Sequence, residues 1–191
     1  LIKQRIGKAD IAVSAKNEDY CKIKIMKTIL ITGCSTGIGK ETALYLQSKG
    51  YRVFATARAK ADVDSLKELG LESFYLDVTK KESISQTFKD ILQLTDTIDV
   101  VFNNAGFGQP GAVEDLSTDI LKEQFETNVF GLHEVTIQAL NIMKKQGYGK
   151  IIQHSSVLGL VSLRARGAYN ASKYAIEGLT DTLRLELKNT N

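Results

Sequence analysis

The chain has 191 residues, 25 Lys/Arg against 22 Asp/Glu, a formal net charge of +3 and 43% hydrophobic residues, with seven Tyr and seven Phe. That is apolar material for one packed domain and excludes a disordered tail. Residues 1–25 hold six Lys/Arg and three Asp/Glu, leaving nineteen of each sign on residues 26–191, so the body is neutral and offers no basic stripe to nucleic acid.

The leading segment, residues 1–25, has no clear period and no apolar h-region, and is expected to be an N-terminal extension outside the fold. Met26 reads as a natural start, so the folded domain is assigned to residues 26–191. From there, short β-rich runs alternate with amphipathic stretches of helical length, the pattern of a parallel sheet with crossover helices. Strands are predicted near Thr28–Thr32, Arg52–Thr56, Ser73–Leu76, Asp99–Asn103 and Lys150–His154. Helices are predicted at about Gly37–Lys49, Asp62–Leu69, Lys81–Leu94, Thr118–Lys145 and Ala168–Lys188. Right-handed βαβ connections turn this order into a doubly wound α/β fold whose ligands bind at the carboxyl edge of the strands. Gly50, Gly70, Gly147 and Gly149 fall at helix ends, where left-handed caps are expected.

Cys21 and Cys34 make neither a disulfide framework nor a metal-ligand spacing, which points to a reducing, cytoplasmic setting. His133 and His154 lack carboxylate or cysteine neighbours at ligand spacing, so they are expected to be ordinary packing or surface residues, and no metal is assigned. No stretch reaches the roughly 18–20 apolar residues of a membrane span.

The first strand runs into Thr32-Gly33-Cys34-Ser35-Thr36-Gly37-Ile38-Gly39, and a helix follows. Three glycines at a strand-to-helix turn let the backbone approach a pyrophosphate and aim the helix N-terminus at it. A phosphate-binding P-loop does not fit, because Cys34 would have to be its leading glycine and Glu41 its Ser/Thr. At the end of the second strand, where an NAD enzyme usually places an acid, the chain has Ala57-Arg58, and a guanidinium suits a 2′-phosphate. Asp77 follows the third strand, and Asn103-Asn104-Ala105-Gly106 closes the fourth. Tyr169 and Lys173 are four apart in a helical stretch and share one face. An isolated tyrosine ionises near pH ~10, so an adjacent ammonium that favours the phenolate brings it toward acid/base use. Ser156, thirteen residues before Tyr169, follows the fifth strand and is placed to donate to a carbonyl oxygen.

In this order, these motifs resemble the main branch of the short-chain dehydrogenases/reductases over Lys27 to Asn191. The resemblance implies a Rossmann sheet and a cofactor site formed by Gly33, Ser35, Thr36, Gly37, Ile38, Gly39, Arg58, Asp77, Asn104, Ala105 and Gly106 together with Tyr169 and Lys173. NADP(H) is expected over NAD(H). The catalytic set it implies is Asn128, Ser156, Tyr169 and Lys173. Tyr169 would exchange the proton with the substrate oxygen, Lys173 would lower the tyrosine pKa and hold the nicotinamide ribose, Ser156 would orient the carbonyl, and Asn128 would support a water-linked relay. The substrate would be a small carbonyl compound or alcohol, and the stretches 33–39, 53–58 and 177–187 are similar to enzymes acting on retinoids, steroids and acyl lipid ketones. The helices holding Asn128 and Tyr169 would form a homo-oligomer.

The family normally continues past the tyrosine helix with two more strands and a substrate-binding loop, whereas this chain ends at Asn191 and its one proline is Pro110. The sequence is therefore expected to be C-terminally incomplete, with the fifth strand an open edge. Two readings stand: an NADP(H)-dependent carbonyl/alcohol oxidoreductase, and a catalytically silent nucleotide-binding or interaction module.

Overall fold

The computed structural model describes residues 27–190, so the leading segment with Cys21, Met26 and the terminal Asn191 lie outside it. Five short strands are built from Val, Ile, Phe and Thr: β1 (Thr28–Ile31), β2 (Arg52–Ala57), β3 (Glu72–Tyr75), β4 (Val100–Asn103) and β5 (Lys150–Gln153). They pair in parallel in the order β3-β2-β1-β4-β5. The order reverses between β1 and β4, which opens a crevice at the carboxyl ends of those strands.

Alternating side chains load both faces of the sheet, as two-sided burial requires. Leu30, Phe54 and Val101 pack on one face under Ile84, Phe88 and Ile91 of α3 (Lys81–Leu92) and Val135 and Met143 of α5 (Leu132–Gln146). Ile29, Ile31, Val53 and Ala55 pack on the other under Ala43 of α1 (Gly37–Ser48) and Val63 and Leu66 of α2 (Lys60–Glu68). Among the described residues β5 pairs with β4 alone, and Ile152 on it is 44% exposed.

Three expectations need correction. The helix predicted over Thr118–Lys145 is α4 (Thr118–Phe125), a π-helical turn (Glu126–Gly131) and then α5. Such turns insert a residue into the helix ladder and redirect its side chains. Here Gly131 passes so close to the strand-to-helix connection that a Cβ on it would stand 2.6 Å from the Val78 carbonyl oxygen. Second, of the four cap glycines, Gly50, Gly70 and Gly147 have positive φ and Gly149 does not; a Cβ on Gly149 would run into the Met143 side chain, so packing explains it. Third, β3 begins and ends one residue earlier than predicted, because Leu71 joins the α2 side of the core and Leu76 the α3 side. The last helix, α6 (Gly167–Glu186), runs close to its predicted bounds and packs on α4 and the π-turn.

Candidate active site

The turn after β1 is fixed by two close glycine approaches and one buried hydroxyl. Gly33 has φ +71°, and a Cβ on it would sit 2.7 Å from the Ala105 Cα. A Cβ on Gly39 would overlap the Gly33 carbonyl oxygen and the Asn104 amide nitrogen, so α1 enters this close only without a side chain there. The Thr32 hydroxyl, 1% exposed, accepts hydrogen bonds from the main-chain N–H groups of Asn104 and Ala105, both at 3.0 Å. The loops after β1 and β4 are thereby locked together.

Beside this lock lies a cleft of about 500 Å³ lined by Gly33, Ser35, Thr36, Ile38, Arg58, Asp77, Asn104, Ala105 and Gly106, along with Thr127 and His154. Two predicted cofactor residues outside this lining, Gly37 and Gly39, form the first turn of α1. No side chain caps that helix and no acidic residue occupies its first turn, so its N–H groups remain available to an anion. Asp77 is 7% exposed, and its Oδ1 accepts from the Thr79 N–H at 3.0 Å and from the Thr79 hydroxyl at 2.8 Å. Arg58 is exposed at the cleft mouth. Open N–H donors, a cradle that a Cβ would fill and a guanidinium at the rim fit a phosphorylated dinucleotide.

A second cleft, of about 440 Å³, adjoins the first; Tyr169 and Lys173 line it, and Asn104, Gly106, Phe107 and His154 border both. Lys173 is 6% exposed and donates through Nζ to the His154 carbonyl oxygen at 2.6 Å. Its Nζ stands 5.4 Å from the centre of the Tyr169 ring. Burial pushes its pKa down to about 8, with the negative charge of Glu177 opposing the shift. Ser156 is half-buried just past β5, and its Oγ accepts from the Leu158 N–H at 3.1 Å. That leaves its own proton free, two residues before Leu158 of the second cleft.

Asn128 sits in the π-turn, 1% exposed, and its amide is engaged at both ends. Oδ1 accepts from the Phe107 N–H at 3.0 Å, while Nδ2 donates to the Phe107 carbonyl oxygen at 2.8 Å and to the Ser172 hydroxyl at 3.2 Å.

Two neighbours of this site were not singled out by the sequence. Gln124, 0% exposed and one turn before Asn128, donates to the Phe107 carbonyl oxygen at 2.9 Å and accepts from the Gln109 N–H at 2.7 Å. The two amides clamp residues 107–109, and Gly108 between them lies against Tyr169, where a Cβ would stand 3.3 Å from ring carbon Cδ2. The four-residue spacing of Gln124 and Asn128 is the one signal that marks them as a pair. His154, predicted to be a packing or surface residue, instead lines both clefts. The Asn104 Nδ2 donates to the carbonyl oxygens of Thr32 and Gly33, both at 2.9 Å, so its Oδ1 faces the His154 Nδ1 at 2.9 Å and Nδ1 must carry the proton. Burial and the Lys173 charge lower the His154 pKa, leaving a neutral ring whose Nε2 is an acceptor.

A doubly wound parallel sheet with a glycine-built cradle at its switch point defines a dinucleotide-binding α/β protein. The chain matches the short chain dehydrogenase family over residues 27–191 and belongs to it. It is 42% identical over 169 residues to the uncharacterized oxidoreductase YbbO of Escherichia coli, covering 87% of this chain and 63% of that protein. It is 37% identical over 160 residues to a 3-ketodihydrosphingosine reductase of Bacteroides thetaiotaomicron, covering 83% of this chain and 58% of that one. With human retinol dehydrogenase 8 it shares 36% identity over 175 residues, covering 86% and 55%. Among solved structures, an actinorhodin polyketide ketoreductase with NADPH superposes with a TM-score of 0.81 at 32% identity, covering 86% of this chain and 66% of that one. An NAD+-bound xylitol dehydrogenase superposes with a TM-score of 0.78 at 31% identity, covering 85% and 65%. The chain spans about three-fifths of the length of the curated relatives it matches.

Proposed function

We propose that the protein is an NADP(H)-dependent oxidoreductase that interconverts a carbonyl compound and its alcohol, with Tyr169 as the acid/base. The observation that carries this reading is the placement of Tyr169 and Lys173 in a cleft that shares four of its residues with the glycine-built cradle. A nicotinamide cofactor held in the cradle supplies or accepts the hydride. The side chains of this chain do the rest. Tyr169 gives a proton to the carbonyl oxygen or takes one from the alcohol, and the Lys173 ammonium stabilises negative charge as it develops there. Ser156, its proton free, hydrogen-bonds the same oxygen. With both ends of its amide engaged, Asn128 supports proton exchange by holding the 107–109 loop, not by handling the proton through its side chain.

Arg58 supports a preference for NADP(H), since it brings a guanidinium to the cleft directly after β2. Neighbours carry either cofactor, NADPH in the polyketide ketoreductase and NAD+ in the xylitol dehydrogenase. A lipophilic substrate is supported by the apolar side chains that line the second cleft, Leu158, Leu163 and Phe107, the last two 56% and 42% exposed. A relative named for retinol lends the same support. Self-association is supported by Phe130 in the π-turn and Tyr174 and Leu179 on α6, 53%, 44% and 43% exposed. We also assign residues 26–191 to one nucleotide-binding domain, residues 1–25 to an extension, and the protein to the cytoplasm; no helix among the described residues is long and apolar enough to cross a membrane.

The test is an assay of NADPH consumption by the full-length protein against a panel of long-chain ketones and aldehydes. One alcohol formed per NADPH oxidised is expected for part of the panel. No consumption with any member contradicts the proposal.

A further inference from the structure

The second cleft contains a charge that neither proton exchange nor the cofactor uses. Its ionisable side chains are His154, Tyr169, Lys173 and Arg166, and no carboxylate lines it. Lys173 and His154 are accounted for above. Arg166 lines this cleft and not the cofactor cleft, and it has no ion-pair partner among the described residues.

The backbone holds Arg166 in place. It is the N-cap of α6, three residues before Tyr169. Ala165 before it has φ +56°, the only positive φ on a non-glycine among the described residues. An alanine keeps that conformation only where its surroundings enforce it. The enforcement is visible: the Gly111 N–H donates to the Ala165 carbonyl oxygen at 3.0 Å, Gly111 and Arg166 form an isolated parallel bridge, and Gly167 packs against Val113 so tightly that a Cβ there would stand 2.5 Å from Cγ2. Strain is thus concentrated at the residue that sets the direction of Arg166.

We propose that Arg166 is the anion-binding residue of the substrate cleft, and that the carbonyl compound or alcohol handled there carries a carboxylate or another oxyanion close to its reacting carbon. This deepens the oxidoreductase reading and rests on it. Glu177 acts on Lys173 from outside the lining, but Arg166 has no such partner among the described residues, so its charge favours a negative ligand, and a planar guanidinium adds paired hydrogen bonds to an oxyanion. Together with the apolar lining, the substrate class is an amphiphile: an apolar chain over Leu158 and Leu163, an oxyanion on Arg166 and the carbonyl at Tyr169. Amine-bearing chains are disfavoured by the same charges.

The test compares a long-chain γ-keto carboxylic acid, its methyl ester, the matching phosphate monoester and the matching amine, using the full-length protein and NADPH. The acid or the phosphate should exceed the ester in kcat/KM by roughly tenfold to a hundredfold, with the amine poorest. The two anionic arms tell a carboxylate from a phosphate substrate. The acid-to-ester ratio should fall toward one in Arg166→Gln, invert in Arg166→Glu and survive in part in Arg166→Lys, with unchanged NADPH affinity reporting that each variant is folded. Equal kcat/KM for acid and ester in the wild type, or an unchanged ratio in Arg166→Gln, overturns the proposal. So does a variant that loses NADPH affinity while keeping the ratio. Absence of turnover with every ketone would be the failure of the oxidoreductase reading instead. Calorimetric binding of dodecanoate against its methyl ester then decides the role of Arg166: tighter acid binding that Arg166→Gln removes upholds it, and equal binding overturns it.

Discussion

Lys173 donates through Nζ to the carbonyl oxygen of His154 at 2.6 Å, tying α6 to the residue that follows β5. The ammonium is held in a buried place, and burial lowers its pKa from 10.5 to about 8. Because the folded value is the lower one, the unfolded chain binds more protons at this position between about pH 8 and 10.5. Stability from this group therefore rises with pH through that window, and below it the lysine is charged in both states and its burial remains unfavourable. Urea unfolding across pH 7 to 11 should show this rise in the wild type and its loss in Lys173→Met. Parallel curves for the two proteins would refute the assignment.

The clamp formed by Gln124 and Asn128 predicts that a distant-looking helix residue matters to the tyrosine. Gln124→Leu leaves the Gln109 N–H without its partner, which should destabilise the fold by about 1–3 kcal/mol. It should also lower kcat more than it raises KM for the cofactor, because the loop bearing on Tyr169 loosens while the cradle is untouched. Denaturant midpoints and steady-state kinetics check the two effects, and a variant unchanged in both would show that Asn128 holds the loop alone.

Arg58 predicts cofactor choice. Arg58→Ala should weaken NADPH binding roughly tenfold or more and leave NADH binding within about twofold, since only the first carries a 2′-phosphate for a charge-assisted bond. Fluorescence titration of both cofactors provides the comparison. Equal losses would place Arg58 on a group the two share.

The strand-helix alternation was legible because parallel strands buried on both faces appear as short apolar runs such as Thr28–Ile31 and Arg52–Ala57. The spacing of Ser156, Tyr169 and Lys173 was legible because the last two lie on one helix face and the first follows shortly after a strand. The π-turn at Glu126–Gly131 was not, since its residues keep helical periodicity and the reason for the extra residue lies in distant partners, Val78 and Phe107. His154 was missed for a similar reason: its tautomer and its place between two clefts follow from how Asn104 is oriented by Thr32 and Gly33. Contacts that span twenty or more residues leave no local pattern.

In the proposed reaction Tyr169 moves the proton. Tyr169→Phe removes one hydroxyl and keeps the ring that packs on Gly108, so the cradle and the loop should stay intact. The decisive measurement is turnover and NADPH affinity of wild type and Tyr169→Phe, side by side in the full-length protein. A loss of at least about a hundredfold in kcat is expected, with NADPH affinity nearly unchanged. A Tyr169→Phe enzyme that turns over at close to the wild-type rate would contradict it.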